Sequence, residues 1–454
     1  MTRVLFLGAV ISMATSVAIS DETGWKAGAA RVNITPEKFI WMAGYGSRDR
    51  PAEGKLTDLW AKALILEDAA GRRGALISLD LVGIDRTLSQ SICGLLSEKF
   101  QLNRAQVAIC TSHTHTGPVV GQNLSPLHYQ QVGPQQQALI DQYAETLKEK
   151  VVGAVEQAIE QLEHCELAWG SGTATFAVNR RNNSESDVPQ LRTNRQLVGP
   201  FDHDVPVLAV RDASGNLAAV VFGYACHATV LSFYQWSGDY PGFAQLELEA
   251  RHPGCVALFF AGCGADQNPL PRRSVELARH YGRRLADAVD GVLLTSQMEP
   301  VVASLATDYR EVDLPLDRLP DRAQIEQEAQ SDNQFMAARA KMILDQFEHG
   351  VSLSQTYPYP IGTWKLGNDL QFITLGGEVV VDYALRLKSE LAGTKTWVAG
   401  YANDVMAYIP SRRVLREGGY EGAGAMVYYG LPTIWAPTVE NAIVDEVHRQ
   451  LDQH

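Results

Sequence analysis

The sequence predicts an α/β fold: one large domain of mixed β-sheets flanked by helices, with its functional site at the carboxyl ends of strands. Three observations predict it. Short β-branched or aromatic runs alternate with longer runs of helical spacing. The 454 residues are 46% hydrophobic and 20% charged, which suits a packed core and excludes collagen-like and disordered chains. Polar motifs repeatedly follow the apolar runs, where open α/β sheets gather their ligands.

The elements follow in order. Strand-like runs fall at 75–80, 106–111, 205–210, 217–224, 256–260, 369–374 and 396–399, each bounded by Gly, Asp or Asn. A helix is predicted over 135–163, where Ile140, Tyr143, Leu147, Val151, Ala154, Ala158 and Leu162 recur at spacings of three or four. Leu277, Tyr281, Leu285 and Val289 repeat that pattern over 274–292. A last helix, 439–451, starts behind Pro437-Thr438, with Thr438 placed to cap it. Two segments break the rhythm: 182–200 reads as a long polar loop, and 317–350 as a charged, helical surface insertion. No internal repeat and no linker rich in Pro, Gly or Ser divides the chain.

The formal net charge of −13 disfavours binding to phosphate backbones, so a nucleic-acid partner is not expected. The six cysteines, Cys93, Cys110, Cys165, Cys226, Cys255 and Cys263, suit small buried hydrophobes at least as well as any one bridge. No Cys-x-x-Cys supports a thiolate zinc site or a redox motif. At the start, Arg3 precedes an apolar run of ~15 residues, too short to span a membrane, and Ser16-Val17-Ala18 puts small residues at a cleavage site. Residues 1–20 therefore read as a signal peptide, and 21–454 as a secreted or periplasmic chain with no transmembrane segment.

Five segments carry the chemistry. Ser112-His113-Thr114-His115-Thr116-Gly117-Pro118 follows a buried-looking strand, and histidines at i and i+2 on extended backbone point the same way. That suits a metal site, a ligand and base pair, or two hydrogen-bonded histidines at a strand end. Cys226-His227-Ala228-Thr229 again ends a strand, and Ser237-Gly238-Asp239 holds a carboxylate among turn residues nearby. Gly262-Cys263-Gly264-Ala265-Asp266-Gln267-Asn268-Pro269 is a strand-to-turn cluster. It lacks both the Gly-Lys-Ser/Thr of a phosphate loop and a Gly-x-Ser-x-Gly elbow. Gly376-Gly377-Glu378 offers a carboxylate behind two glycines, and 401–422 is an aromatic-rich stretch with Tyr408 and Tyr420.

Taken in order, these segments resemble the catalytic domain of the neutral (alkaline, non-lysosomal) ceramidase family. Arg31-Val32-Asn33-Ile34-Thr35-Pro36, Met42-Ala43-Gly44-Tyr45, 57–63 and Asn179-Arg180 carry the same resemblance. It implies a zinc ion (Zn) held by His113, His227, Glu378 and Tyr408, with His115 beside it handling a proton. It also implies that Arg180 and Tyr420 contact the substrate amide or polarise its carbonyl. The chemistry is consistent: zinc lowers the pKa of its water and acts as a Lewis acid, and a histidine protonates a leaving amine.

Three departures from the family pattern shape the functional expectation. The family's serine segment here reads Gly264-Ala265-Asp266-Gln267-Asn268-Pro269, so no serine nucleophile stands at that position and water is expected to attack. Asp266 is then a catalytic candidate, and Gln267 and Asn268 are candidates for substrate contact, as is Asp239. Residue 454 falls about where the resemblance places the end of the catalytic domain, so the sequence is expected to correspond to that domain and not to the family's C-terminal β-domain. Arg180, Arg181 and the polar loop after them suit a polar or anionic substrate. The expected protein is a secreted zinc hydrolase that cleaves an N-acyl amide bond in a small molecule and is not restricted to ceramide. An alternative is a zinc esterase or deacetylase of O-acylated sugars, with Tyr234, Trp236 and Tyr240 as a stacking surface. A second is a binding protein on the same scaffold.

Overall fold

Alternation along each strand sorts its side chains onto two faces, and that sorting builds four layers in the order helix, sheet, sheet, helix. The structure is a computed structural model describing residues 24–294 and 298–453. The expected signal peptide lies outside the described residues.

The large sheet contains β1 (Trp25–Asn33), β2 (Trp60–Glu67), β3 (Arg73–Leu79), β4 (Val107–Thr111), β5 (Glu163–Thr173), β6 (Asp204–Asp212), β7 (Leu217–Tyr224) and β8 (Val256–Ala261). Its order is β8-β7-β6-β5-β1-β2-β3-β4, with the short strand Glu299–Pro300 paired to β5. Pairing is antiparallel except at the two ends, where β3–β4 and β7–β8 run parallel. The small sheet orders β9 (Leu305–Pro315), β10 (Thr356–Leu366), β11 (Leu370–Leu375) and β12 (Lys395–Ala399), and β11–β12 is its parallel pair.

Facing sides of the two sheets pack on each other through Leu64, Leu76, Cys110, Phe260, Trp364, Phe372 and Trp397. The outer face of the large sheet is covered by α1 (Arg86–Phe100), α2 (Pro134–Glu160), α3 (Asp239–Arg251) and α4 (Val275–Leu294). The outer face of the small sheet is covered by α5 (Val381–Glu390) and α6 (Val439–Leu451). The mixed α/β architecture, the fully apolar strands and the three long helices match the sequence reading.

Three expectations change in detail. Thr438 sits at the N-cap position of α6, but its side chain makes no capping hydrogen bond. The loop 182–200 contains a short helix, Val188–Thr193, anchored by the buried Val188. The insertion 317–350 is two helices, Arg322–Glu328 and Gln334–Glu348, with a small core of Ile325, Ala329, Ala340 and Ile343. All six cysteines are unpaired, and five of them are buried.

The three parallel pairs of the two main sheets run their carboxyl ends toward one region. Segments leaving β4, β7, β8, β11 and β12 meet there, stitched by bridges Cys110–Ala402, Thr114–Ala228 and Gly262–Ala399.

Candidate metal centre and its cavity

His113 and His115 leave the end of β4, and His227 leaves the end of β7. The parallel bridge between Thr114 and Ala228 sets these two segments side by side. His113 takes a left-handed backbone, φ 59°, a strained conformation of the kind found at functional sites. Its Nδ1 lies 2.6 Å from the Val82 carbonyl oxygen. His227 Nδ1 lies 2.8 Å from the Gly264 carbonyl oxygen. A carbonyl only accepts, so both rings carry their proton on Nδ1 and present an Nε2 lone pair inward.

Glu378 and Tyr408 are register partners in a two-residue parallel ladder, Glu378–Val379 against Tyr408–Ile409. Gly377 makes the turn into it at φ 74°, and a Cβ there would meet the Ala407 carbonyl oxygen at 2.7 Å. Only glycine fits.

These side chains converge on one buried point. His113 Nε2 and His227 Nε2 lie 3.2 and 3.1 Å from Glu378 Oε2. His227 Nε2 is 3.3 Å from Tyr408 Oη, and His115 Nε2 is 3.1 Å from His113 Nε2. A tetrahedral site with ligands at about 2.0–2.1 Å has edges of about 3.3 Å, so the spacing fits a divalent cation. Glu378 Oε2 receives no hydrogen bond, because the facing nitrogens hold their protons on the far side. Three buried electron-pair donors facing one another without a proton between them are a poor arrangement unless a cation joins them. Burial, then Arg180, push the His227 imidazolium down to about 4. Burial also drives His115 well below its ordinary value, so both rings are neutral, as ligation requires. His113, His115 and His227 form the histidine group able to hold a metal among the described residues.

Neighbouring side chains fix these donors. Tyr429 donates its hydroxyl proton to Glu378 Oε1. Tyr401 lies against the His113 ring, centroids 4.2 Å apart. Arg180 donates to Tyr408 Oη at 3.1 Å, to Glu421 at 2.8 Å and to Asn268 Oδ1 at 3.3 Å. Tyr420 packs on Tyr408 at the rim and is 46% exposed. Above the centre opens a cavity of 670 Å3, walled by His115, Arg180, Asn268, Tyr408, Tyr420 and Tyr45 among others.

Several expected residues are placed elsewhere. Asp266 is fully buried and turned away from the cavity: its carboxylate accepts from the Val381 amide at 3.0 Å and the Asn179 side chain at 3.1 Å. It is a structural clamp between two loops, because a buried carboxylate needs donors and finds them there. Gln267 is fully buried, and its amide donates to the Pro200 carbonyl. Asp239 is fully buried and accepts from the Leu231 and Tyr240 amides, closing the turn that starts α3. Arg181 does line the cavity, but Glu417 and Glu421 occupy its guanidinium. The sugar-stacking surface is also absent. Trp236 and Tyr240 are core residues, 1% and 0% exposed, and Tyr234 lies under Arg50. Sequence reasoning missed Tyr429, Thr229, Arg272 and Arg273. Thr229 stands two residues beyond His227, and the arginines follow Pro269 by three and four positions, so adjacency to the motifs was the available signal.

Strand ends that bring two histidines, a glycine-turned glutamate and a tyrosine together beside a cavity define a class: an α/β protein with a buried donor cluster able to hold a metal ion. The chain belongs to the neutral/alkaline non-lysosomal ceramidase family, whose N-terminal family model matches residues 25–263. That match includes His113, His115, Arg180 and His227 and stops before Glu378 and Tyr408. The chain is 27% identical to the neutral ceramidase of Pseudomonas aeruginosa over 267 residues, 56% of this chain and 38% of that protein. It is 24% identical to the neutral ceramidase of Drosophila pseudoobscura pseudoobscura over 358 residues, 68% of this chain and 49% of that one. The chain thus covers half or less of these relatives' length. The crystal structure of the Pseudomonas aeruginosa neutral ceramidase superposes with a TM-score of 0.72 at 22% identity, covering 94% of this chain and 74% of that one. The fold is shared.

Proposed function

We propose that this protein is a secreted zinc-dependent hydrolase that cleaves an N-acyl amide bond of the ceramide type, with 21–454 forming one catalytic unit. The observation that carries the reading is the meeting of His113 Nε2 and His227 Nε2 with Glu378 Oε2 at 3.1–3.2 Å, next to a cavity that His227 lines. Family membership points the same way. His113, His227, Glu378 and Tyr408 would hold the ion, and His115 Nε2 lies within reach of the same point. When bound, such an ion supplies Lewis acidity and lowers the pKa of water.

The chain's own groups supply the rest. Arg180 fixes the Tyr408 hydroxyl and places a positive charge on the wall, where charge develops on the scissile carbonyl oxygen. Tyr420 offers a rim hydroxyl to the same oxygen. His115 is neutral, lines the cavity and has an unpartnered Nδ1, so it has the means to take a proton and deliver it to the leaving amine. Asn268 stands on the wall, in the segment that resembles the family's serine segment but holds no serine, and an amide is no nucleophile. Water therefore attacks, and Asn268 orients it or the substrate.

Zinc-loaded protein releases amine from a panel of N-acyl substrates, and His113→Ala abolishes it. Turnover of O-acyl esters alone, or turnover untouched by His113→Ala, overturns the reading.

A further inference from the structure

The cavity wall carries Arg180, Arg181, Arg272 and Arg273. Three are already paired with carboxylates. Arg180 and Arg181 share Glu421, Arg181 also meets Glu417, and Arg272 pairs with Glu185 at 2.6 Å. Arg273 alone among these four has no hydrogen bond or ion pair from its guanidinium. That group lies over the Tyr45 ring at 5.5 Å and acts on Glu185 only at longer range.

Arg273 is exposed to solvent, but its backbone is held in place. The Arg273 backbone is left-handed, φ 92°, which an L side chain adopts only where its surroundings hold it. Its amide donates to the Val230 carbonyl at 2.7 Å, which sets it beside Thr229. Thr229 is 2% exposed, lines the cavity, and its hydroxyl has no partner. Tyr45 is held by its hydroxyl on the Leu231 carbonyl at 2.9 Å, and its ring stands 4.9 Å from that of His115. Two short steps, His115 to Tyr45 and Tyr45 to Arg273, therefore link the reacting centre to an unpaired cation and an unpaired buried hydroxyl.

We propose that Arg273 and Thr229, on the shelf of Tyr45, form an anion subsite that takes the carboxylate of an N-acyl amino acid. The proposal rests on the amidase reading above and names its substrate class. In such a molecule the carboxylate carbon is three bonds, about 3–4 Å, from the scissile carbonyl carbon. The wall's surplus of one guanidinium selects for one negative charge, and a buried hydroxyl without a partner selects for an acceptor.

The test uses non-hydrolysable sulfonamide analogues, N-(pentylsulfonyl)glycine and the neutral N-(pentylsulfonyl)ethanolamine, titrated calorimetrically into zinc-loaded protein. The anionic analogue binds at least about tenfold tighter. Arg273→Gln brings the ratio close to one, Arg273→Lys restores part of it, and Thr229→Val lowers it several-fold. A ratio near one in the unaltered protein, or a ratio unmoved by Arg273→Gln in protein that unfolds at the normal temperature, overturns the subsite. The two readings fail separately. Tight anion binding without hydrolysis of the matching amides defeats the amidase reading alone, and hydrolysis without charge preference defeats the subsite alone.

Discussion

The Nε2 atom of His113 stands 3.2 Å from Oε2 of Glu378, and no proton lies between them. Each is buried, and the Val82 carbonyl fixes the imidazole proton on the opposite nitrogen. A cation would resolve that opposition. Glu378→Gln keeps the shape and removes the charge, so zinc content after dialysis against a weak chelator falls from about one per chain to a small fraction. Elemental analysis by mass spectrometry reads it.

Tyr429 acts through Glu378. Its hydroxyl binds the carboxylate oxygen that does not face the histidines. Tyr429→Phe loses this orientation while the fold stays, and zinc affinity drops about 10–100-fold. Competition with a chromophoric chelator measures the loss.

Glu421 holds Arg180 and Arg181 together, at 2.8 and 2.6 Å. Arg180→Ala lowers kcat by roughly 100-fold if its charge serves the carbonyl oxygen. Glu421→Gln lowers it less, and in the Arg180→Ala background it adds little. Strong non-additivity in this cycle, read from steady-state rates, marks Glu421 as acting through Arg180.

Asp266 and Asn268 separate under mutation. Asp266→Ala leaves the Val381 amide unpaired and removes one of the two hydrogen bonds donated by the Asn179 side chain, which costs about 1–3 kcal/mol of stability while kcat is nearly kept. Asn268→Ala spares stability and lowers kcat/KM. Denaturant unfolding and kinetics on both variants check this.

Burial pushes the Asp404 carboxyl up from 3.8 to about 7, against the hydrogen bond donated by Tyr357. Between those values the folded chain holds a proton that the unfolded chain has released. Asp404 therefore makes stability fall as pH rises through this window, and its effect levels off above about 7. Asp404→Asn flattens that slope, measured as urea midpoints from pH 4.5 to 8.

Legibility in the sequence followed burial. The strands Leu217–Tyr224 and Val256–Ala261 are buried almost throughout and stood out as apolar runs. Glu163–Thr173 and Leu305–Pro315 are partly exposed along their length, so their polar residues hid them. His113 and His227 were readable because each directly follows an apolar strand. Glu378 and Tyr408 lie in strands of two residues, which carry no periodicity; Glu378 stood out only as a carboxylate behind two glycines, and the family resemblance alone pointed to Tyr408. Asp266 misled because a polar cluster behind a glycine turn looks the same whether it faces a cavity or clamps a loop. Arg273 was invisible for a different reason: its significance comes from the carboxylates that partner its neighbours and leave it alone, which is a property of the fold.

The most direct test of the central claim is the zinc stoichiometry of the purified protein after equilibration with a limiting excess of zinc. The account predicts about one tightly bound ion per chain, lost together in His113→Ala, His227→Ala and Glu378→Gln. A folded protein that binds no zinc, or one whose zinc survives all three substitutions, contradicts it.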